Sequence, residues 1–421
     1  MDRNPNGYFM KHLYSKVKKP LLAFSLLVAN VNAASSYEEY QQQMSSTQDQ
    51  FQAYKQELLS EFEESKKEYA EYVKKVEAEL EDYKSSLSKY WEDPEVFSKE
   101  RWIEYSPDQK SRSEVDFEKN EITIQTIAKS ADAATKKLEK VLERAVTIDT
   151  QTYRETNAIE QKIEKIKRKV VKKPIQAKPV TEAIISDVIF DVKPKVNQVI
   201  NYVKKHVTPK KVVESPARVP GEKTYTIKIK LPPDTAVKKA QKYIAKIREE
   251  GSGQKVSESL ILGIMQTESY FNPLARSHVP AFGLMQIVPK TAGVDAHNHL
   301  YGSKKVVSAD YLYNSDNNIK MGTAYLHILY YKYFSKIKDP RSRLYCAIAA
   351  YNTGAGNVSW VFNRGKGFKY KLSVVNAVPT INAMSSDKVY EKLINELKHE
   401  EARDYLKRVV SRTQSFQKRK L

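Results

Sequence analysis

The segment from residue 37 to residue 90 contains no glycine and no proline, and this constrains the fold of the chain more than any other feature. Apolar and aromatic residues recur through it at spacings of three and four, with Glu, Lys and Gln between them. Such spacing places the apolar side chains on one face of a helix. We therefore predict a helical extension over residues 34–90 that forms a helical hairpin or a self-associating coiled coil. Tyrosines also stack on sugars, but a stripe at helical spacing is more often a packing surface.

The N-terminus has the layout of a secretory signal peptide. Basic residues precede an apolar run over residues 20–29, and small residues lead up to Ala33, where a signal peptidase would cut. The run is far shorter than the ~20 residues of a membrane-spanning helix, and no later segment approaches that length. We predict cleavage after Ala33 and export of the chain; an uncleaved anchor and a buried helix are the alternatives.

The chain is strongly basic, with 71 Lys and Arg against 51 Asp and Glu and a formal net charge of +20. Removing residues 1–33 takes away five bases and one acid, which leaves +16. This charge predicts an anionic partner, and export argues against nucleic acid. The single cysteine, Cys346, excludes an intrachain disulfide, a thiolate zinc site and a Cys-ligated iron–sulfur cluster. We predict no cofactor and no metal.

Residues 91–231 show the mixed periodicity of a small α+β domain. The predicted elements are a β-hairpin of Ser113–Phe117 and Ile122–Ile127, a helix over 131–146, strand pieces over Ile184–Phe190, a helix over Val196–Val203 and a last strand over Tyr225–Leu231.

Residues 232–421 change in character and predict a mostly α-helical domain. Asp234 and Ser257 stand where they can cap helices. Apolar helical periodicity recurs at 258–267, 318–334, 341–351 and 388–410.

The helix predicted at 258–267 is apolar on nearly all sides, yet it closes on a carboxylate, Glu268. Pro273 forces the helix to end soon afterwards. A carboxyl at the end of a buried helix meets apolar neighbours and the negative end of the helix dipole, and both raise its pKa. A general acid for a glycosidic oxygen needs such a pKa, because it must keep its proton near neutral pH. Taken alone, Glu268 is more often a structural acid that holds the turn.

Further motifs follow Glu268 in a set order. They are Glu-Ser-x-Phe-Asn-Pro from Glu268 with Ser277 nine positions beyond the Glu, Gly-Leu-Met-Gln at 283–286, Asn-Ile-x-x-Gly-x-x-Tyr-Leu at 318–326, and Ala-Tyr-Asn-x-Gly at 350–354. In these motifs the chain resembles the lysozyme-like lytic transglycosylases, whose SLT domain it matches over about residues 232–421.

The N-terminal half resembles the accessory domain that precedes the catalytic domain in the membrane-bound lytic murein transglycosylase C subfamily. The residues that carry this resemblance are Tyr105, 111–113, 115–117, 122–127, 227–231, Lys239, Ala240 and Tyr243. That subfamily is typically a lipoprotein, whereas this chain has no cysteine beside the predicted cleavage site.

The resemblance implies cleavage of the β-1,4 bond between N-acetylmuramic acid and N-acetylglucosamine, with Glu268 as the single acid and base. Most glycosidases pair two carboxylates across the bond. In this family the substrate's acetamido group stabilises the cation-like centre instead. Glu268 would protonate the leaving oxygen and then take the proton of the muramoyl 6-hydroxyl as a 1,6-anhydro ring closes, without water.

The substrate-binding set that the resemblance implies is Ser277, Met285, Gln286, Tyr351 and Asn352. Ser277 would lie near the acetamido group or the acid, and Tyr351 would orient Glu268 through its hydroxyl. Core packing is an equal alternative for Met285, and a turn role is the more common one for Asn352.

Other polar residues receive structural interpretations. A hydrolytic mechanism needs a second carboxylate, and we interpret the acids that could provide it as solvated or capping residues: Asp295, Asp310 and Asp316. Three histidines lie close to these acids in the sequence, but their spacing is not that of a set of metal ligands: His278, His297 and His299. Cys346 is interpreted as a core residue.

We therefore expect a multidomain peptidoglycan lytic transglycosylase: a signal peptide (1–33), the helical extension (34–90), an α+β accessory domain (91–231) and a lysozyme-like catalytic domain (232–421). A hydrolytic muramidase and a catalytically silent cell-wall-binding scaffold are the alternatives. The expected partners are peptidoglycan strands, and cell-envelope proteins through the coiled coil. The expected location is the periplasm, with an outer-membrane association.

Overall fold

The computed structural model describes residues 37–172, 175, 177, 180–278, 280–365, 367 and 371–419. The predicted signal peptide over residues 1–33 lies outside the described residues. Within the described ranges, no helix combines the length and the apolar character that crossing a membrane requires. The chain divides into two compact units after Lys67.

The first helix, α1, runs over Tyr37–Leu87 and confirms the predicted long helix. In its part before residue 68, the large apolar side chains of Met44, Phe51 and Leu59 are exposed. The self-association of this part as a coiled coil stays a prediction.

A five-stranded antiparallel sheet forms the centre of the N-terminal half. Its strands are β1 (Arg101–Tyr105), β2 (Ser111–Asp116), β3 (Glu121–Ala128), β4 (Val213–Pro216) and β5 (Lys223–Lys230), in the spatial order β1-β2-β3-β5-β4. Ile122 pairs with Val115 across the β2–β3 hairpin and with Ile229 of β5 on the other side. The predicted hairpin and last strand are confirmed, whereas the sequence patterns do not indicate β1 and β4.

Five helices of the N-terminal half accompany this sheet in the described ranges. They are α2 (Ala131–Thr147), α3 (Thr150–Thr156), α4 (Ala158–Val170), α5 (Ser186–Phe190) and α6 (Val196–His206). The helices predicted over 131–146 and 196–203 are confirmed. The strand pieces predicted over Ile184–Phe190 are wrong, because α5 forms there after the fully buried Ile184 and Ile185. A short apolar run does not by itself distinguish a strand from a buried helical segment.

Each face of the sheet has its own core, because successive strand residues point to opposite faces. Trp102 and Ile122 pack on one face with Leu138 of α2. Ile103 and Ile127 pack on the other face with the part of α1 that follows residue 68. The buried α1 residues are Tyr69, Tyr72, Val76, Leu80, Tyr83 and Leu87. The packing interpretation of the tyrosine stripe is therefore confirmed for this part, and its partner is the sheet of the same chain.

The C-terminal half is helical, as predicted. Its helices are α7 (Thr235–Gln254), α8 (Glu258–Ser269), α9 (Val294–Tyr301), α10 (Ala309–Tyr313), α11 (Ser315–His327), α12 (Pro340–Thr353), α13 (Ala355–Phe362), α14 (Val374–Asn382), α15 (Ser386–Glu396) and α16 (Glu400–Arg419). The Ser257 side chain caps α8 by accepting from the Leu260 amide, whereas Asp234 makes no such bond at α7. The periodicity predicted over 388–410 belongs to two helices, α15 and α16.

Helices α8 and α16 pack closely against each other, and a glycine makes this possible. A Cβ atom on Gly263 of α8 would lie 2.6 Å from Thr413 Oγ1 and 3.0 Å from the Thr413 backbone nitrogen. Both distances are shorter than van der Waals contact, and the backbone of α16 would have to move to relieve them. The absent side chain thus sets the spacing between the two helices.

Because of this contact, we expect Gly263→Ala to lower the free energy of unfolding by about 1–3 kcal/mol, as overpacking of a core does. Gly253→Ala is the matched control, since its Cβ meets nothing within 4 Å and should stabilise α7 by up to about 1 kcal/mol. Thermal and urea unfolding measure the free energy of unfolding of both variants and of the parent. Equal stabilities for the two variants would contradict the close approach.

Candidate active site

Glu268 lies in the last turn of α8, whose side chains are buried on nearly all sides. The helix ends at Ser269, and the two residues that follow it, Tyr270 (φ 48°) and Phe271 (φ 62°), adopt the left-handed backbone conformation. Residues other than glycine rarely adopt this conformation, so two such residues in succession must be held by tertiary contacts. This turn fixes where the Glu268 carboxyl points.

The Tyr270 side chain points away from the C-terminal helices and packs in the core of the sheet. Its hydroxyl donates to Glu118 Oε1 at 2.6 Å, and Arg412 of α16 contacts the same hydroxyl. Arg412 Nη1 also donates to the Gln266 carbonyl oxygen of α8 at 2.9 Å. The turn after Glu268 is therefore held by the sheet on one side and by α16 on the other.

The Glu268 side chain is buried, with 5% exposed, and its pKa rises from the ordinary 4.5 to about 7. Burial is the main cause of the shift, and the negative charge of Glu401 adds to it. The charges of Lys99 and Arg408 and the hydroxyl of Tyr405 act in the opposite direction. The carboxyl thus keeps its proton close to neutral pH, as the position of Glu268 predicts.

Three of these neighbours come from one face of α16. Glu401, Tyr405 and Arg408 follow one another at spacings of four and three, which places them on the same side of the helix. The Tyr405 hydroxyl interacts with the Glu268 carboxyl, although its geometry falls short of a strict hydrogen bond. Burial raises the pKa of Tyr405 well above its usual range, so this hydroxyl keeps its proton.

Tyr351, in the last turns of α12, makes a contact that the sequence does not predict. Its hydroxyl donates to the Met285 carbonyl oxygen at 2.8 Å, and the expected orientation of Glu268 through this hydroxyl stays a prediction. The pKa of Tyr351 is raised by burial and by the nearby Glu268 charge, so the ring still lies beside the acid.

The segment 283–286 is held by buried hydrogen bonds. Asn318 Nδ2 donates to the Phe282 carbonyl oxygen at 2.7 Å, and Asn318 Oδ1 accepts from the Met285 amide at 2.7 Å. The Met285 side chain is fully buried against Gly322, where a Cβ atom would lie 2.4 Å from Met285 Sδ. Asn318 and Gly322 therefore have a packing role, and Met285 belongs to the core.

Gln286 completes this segment in a left-handed conformation (φ 47°). Its Nε2 donates to the carbonyl oxygens of Ala275 at 3.0 Å and Gly283 at 2.9 Å. Its Oε1 is buried and has no hydrogen-bond partner among the described residues. Ser277 is buried next to this segment, and its Oγ accepts from the Ala281 amide at 3.2 Å. Asn352 is half-buried at the end of α12. The predicted sugar contacts of these residues stay predictions.

Two of the other acids, Asp310 and Asp295, have partners of their own. Asp310 pairs with Arg154 and Lys167 and has a lowered pKa because of those charges, which outweigh burial, so a solvated or capping role is wrong for it. Asp295 accepts from the Tyr333 hydroxyl at 3.4 Å. In the described ranges, no group of three or more His, Cys, Asp or Glu side chains is placed to hold a metal ion. Cys346 is buried in the core.

The sequence patterns do not single out four of the residues around Glu268. These are Lys99, Glu401, Tyr405 and Arg408. The face of α16 shows only as a helical spacing of polar residues, which is common on any exposed helix. Lys99 lies between α1 and β1 and has no local signal at all, because only the packing of the sheet against α8 brings it to the site.

Comparison with known proteins adds two family matches. Residues 69–242 match the N-terminal domain of membrane-bound lytic murein transglycosylase C, and residues 245–374 match the transglycosylase SLT domain. Membrane-bound lytic murein transglycosylase C of Salmonella typhimurium (strain LT2) is 42% identical over 195 residues, which are 46% of this chain and 52% of the relative. The protein of that name from Klebsiella pneumoniae (strain 342) gives the same values. The chain thus spans about half the length of the curated relatives it matches.

Two solved structures also match part of the chain. The 70 kDa soluble lytic transglycosylase of Escherichia coli is 25% identical over 42% of this chain and 24% of that one, with a TM-score of 0.31. The lytic transglycosylase Slt of Pseudomonas aeruginosa is 28% identical over 41% of this chain and 24% of that one, with a TM-score of 0.28.

The raised pKa of Glu268 predicts a cost in stability above pH 5. Between the ordinary value of 4.5 and the folded value of about 7, the unfolded chain releases this proton and the folded chain keeps it, so stability falls as pH rises. Glu268→Gln removes this loss. We expect the variant to be more stable than the parent at pH 8, by up to about 3 kcal/mol, and similar to it at pH 4.

Thermal unfolding of both proteins from pH 4 to pH 8 measures this difference. Glu258→Gln is the control, because Glu258 is an exposed acid in the first turn of the same helix. A stability difference between Glu268→Gln and the parent that stays constant with pH would contradict the raised pKa.

Proposed function

We propose that this chain is a lytic murein transglycosylase similar to the membrane-bound C type, and that it cleaves the β-1,4 bond between N-acetylmuramic acid and N-acetylglucosamine without water. The observation that carries the proposal is the buried carboxyl of Glu268 at the end of α8, whose pKa burial raises to about 7. Glu401, the other carboxylate beside it, is engaged in an ion pair with Lys99. Glu268 therefore acts alone as the acid and the base.

In the first step, Glu268 donates its proton to the leaving glycosidic oxygen as the bond to the muramoyl C1 breaks. The positive charge that develops at C1 is stabilised by the substrate's own acetamido group. Tyr405 and Arg408 favour the carboxylate that remains, because both lower the pKa of Glu268. In the second step, this carboxylate takes the proton of the muramoyl 6-hydroxyl, and the oxygen of that hydroxyl bonds to C1. The 1,6-anhydro ring closes, and Glu268 regains its proton.

The substrate-binding roles rest on polar groups that line the segments around Glu268. Gln286 supports the proposal through its buried Oε1, which has no partner among the described residues and can accept from a sugar hydroxyl or amide. We assign contacts to the acetamido group to Ser277 and contacts along the glycan to Asn352. Met285 and Tyr351 support the site through packing, since a hydrogen bond joins the Tyr351 hydroxyl to the Met285 carbonyl oxygen.

For the layout of the chain we propose a signal peptide, a coiled-coil extension, the accessory domain and a lysozyme-like catalytic domain from residue 232. The burial of Tyr69 to Leu87 against the sheet favours an accessory domain that begins near residue 69 instead of 91. We place the enzyme in the periplasm, bound to peptidoglycan, with the first part of α1 available to cell-envelope proteins. The relatives are named membrane-bound, which supports an association with a membrane of the cell envelope, and we propose the outer membrane.

We predict that Glu268→Gln loses activity on purified peptidoglycan by roughly a hundredfold or more, because an amide cannot donate the proton. Mass analysis of the soluble muropeptides measures this loss and identifies the products. Anhydromuropeptides from the parent support the proposal, whereas reducing ends indicate a hydrolytic muramidase and no products indicate a silent scaffold. Glu258→Gln, on the same helix, should keep full activity.

The parent's activity should depend on pH through Glu268. Since the protonated carboxyl starts the reaction and its pKa is about 7, the initial rate should be level below pH 6 and fall above pH 7. Initial rates of anhydromuropeptide release between pH 5 and pH 9 measure this profile. A rate that rises through pH 7 would show that the ionised form starts the reaction and would contradict the assignment.

A further inference from the structure

We propose that Lys99, which comes from the sheet-containing half of the chain, is a positioning residue of the active site. Through its ion pair with Glu401 it holds a positive charge beside Glu268 and thereby sets how readily this acid gives up and regains its proton. The inference rests on the proposed function of Glu268 and adds a residue from the accessory domain to the catalytic machinery.

The backbone around Lys99 is joined to the turn that follows Glu268. Asn272 Nδ2, four residues after the acid, donates to the carbonyl oxygens of Lys99 at 3.3 Å and Arg101 at 3.5 Å. The Arg276 amide donates to the Ser98 carbonyl oxygen at 3.2 Å. Three hydrogen bonds thus fix the Lys99 segment to the helical half within a few residues of the acid.

The side chain of Lys99 reaches across to α16. Its Nζ lies 3.2 Å from Glu401 Oε1, and the Lys99 side chain is 28% exposed while that of Glu401 is 63% exposed. Glu401 is one helical turn before Tyr405, which interacts with the Glu268 carboxyl. The ion pair therefore connects the sheet half to α16 right next to the acid. Surface ion pairs contribute little stability, so the position of this one points to an electrostatic role.

The charges on the two partners act on Glu268 with opposite sign. Lys99 lowers the pKa of Glu268, and Glu401 raises it. The two carboxylates act on Lys99 in turn. Burial lowers the pKa of the Lys99 ammonium group, but the negative charges of Glu268 and Glu401 outweigh burial and raise this pKa. The other titratable or charged groups that face Glu268 are Tyr405 and Arg408 from α16 and Tyr351 from α12.

This arrangement suits an acid that must also act as a base. Burial alone would raise the proton affinity of Glu268 further, which would make the first proton transfer harder. The fixed ammonium of Lys99 stabilises the carboxylate that exists between the two steps, and Glu401 keeps that ammonium in place. An acid with a pKa near the working pH performs both transfers well.

Two substitutions with opposite expected effects test the proposal. Lys99→Met should move the falling alkaline limb of the rate profile to higher pH by roughly half a unit to one unit, because Glu268 loses a stabilising charge. Glu401→Gln should move it to lower pH by a similar amount, of the order of half a unit. Lys99→Arg should keep the parent profile. Lys223→Met, which removes a lysine from a surface ion pair of the same sheet, should shift nothing.

A titration that does not need activity separates this proposal from the proposed function. With ¹³C-labelled glutamate, the Glu268 carboxyl resonance is identified by its absence in Glu268→Gln, and its midpoint is followed in each variant. Midpoints that move up in Lys99→Met and down in Glu401→Gln support the role of Lys99 even if the parent releases no anhydromuropeptides, a result that would overturn only the proposed function. A midpoint that does not move in Lys99→Met, or that moves down in it, overturns the role of Lys99.

Discussion

The left-handed turn at Tyr270 and Phe271 is the constraint on which the site depends. It ends the buried helix α8 directly after Glu268, and it is strained because neither residue is glycine. The strain is sustained from two sides, by the sheet core that encloses Tyr270 and by Arg412 of α16. The position of the acid, the close packing of α8 on α16 and the joining of the two halves of the chain are therefore parts of one arrangement.

That arrangement has a cost that follows from the same burial. A carboxyl enclosed by apolar side chains is driven to its neutral form, and the folded protein loses stability wherever the unfolded chain would ionise it. The surroundings of Glu268 offset part of this cost with Lys99, Tyr405 and Arg408, which come from two distant segments of the chain. Proton affinity at the site is thus a property of the assembled fold, and the N-terminal half takes part in it.

Local patterns predicted much of the fold. The β2–β3 hairpin, α2, α6 and α8 follow from alternation, helical spacing and the cap at Ser257, all of which act between near neighbours. The raised pKa of Glu268 also followed from its place at the end of an apolar helix. The strand pieces at Ile184–Phe190 were wrong because burial, which the run of apolar residues does indicate, does not choose between strand and helix.

The motifs, their order, and the apolar helix that ends in a carboxylate can all be found in the amino-acid sequence, and so can the family resemblance that they carry. The side chains that surround the carboxylate come together only when the chain folds. Tyr405 of α16 lies beside the acid, Asp310 forms ion pairs, and Lys99 comes from a segment 169 residues earlier in the chain. Electrostatic and packing contacts depend on distances in space, and local periodicity does not encode those distances.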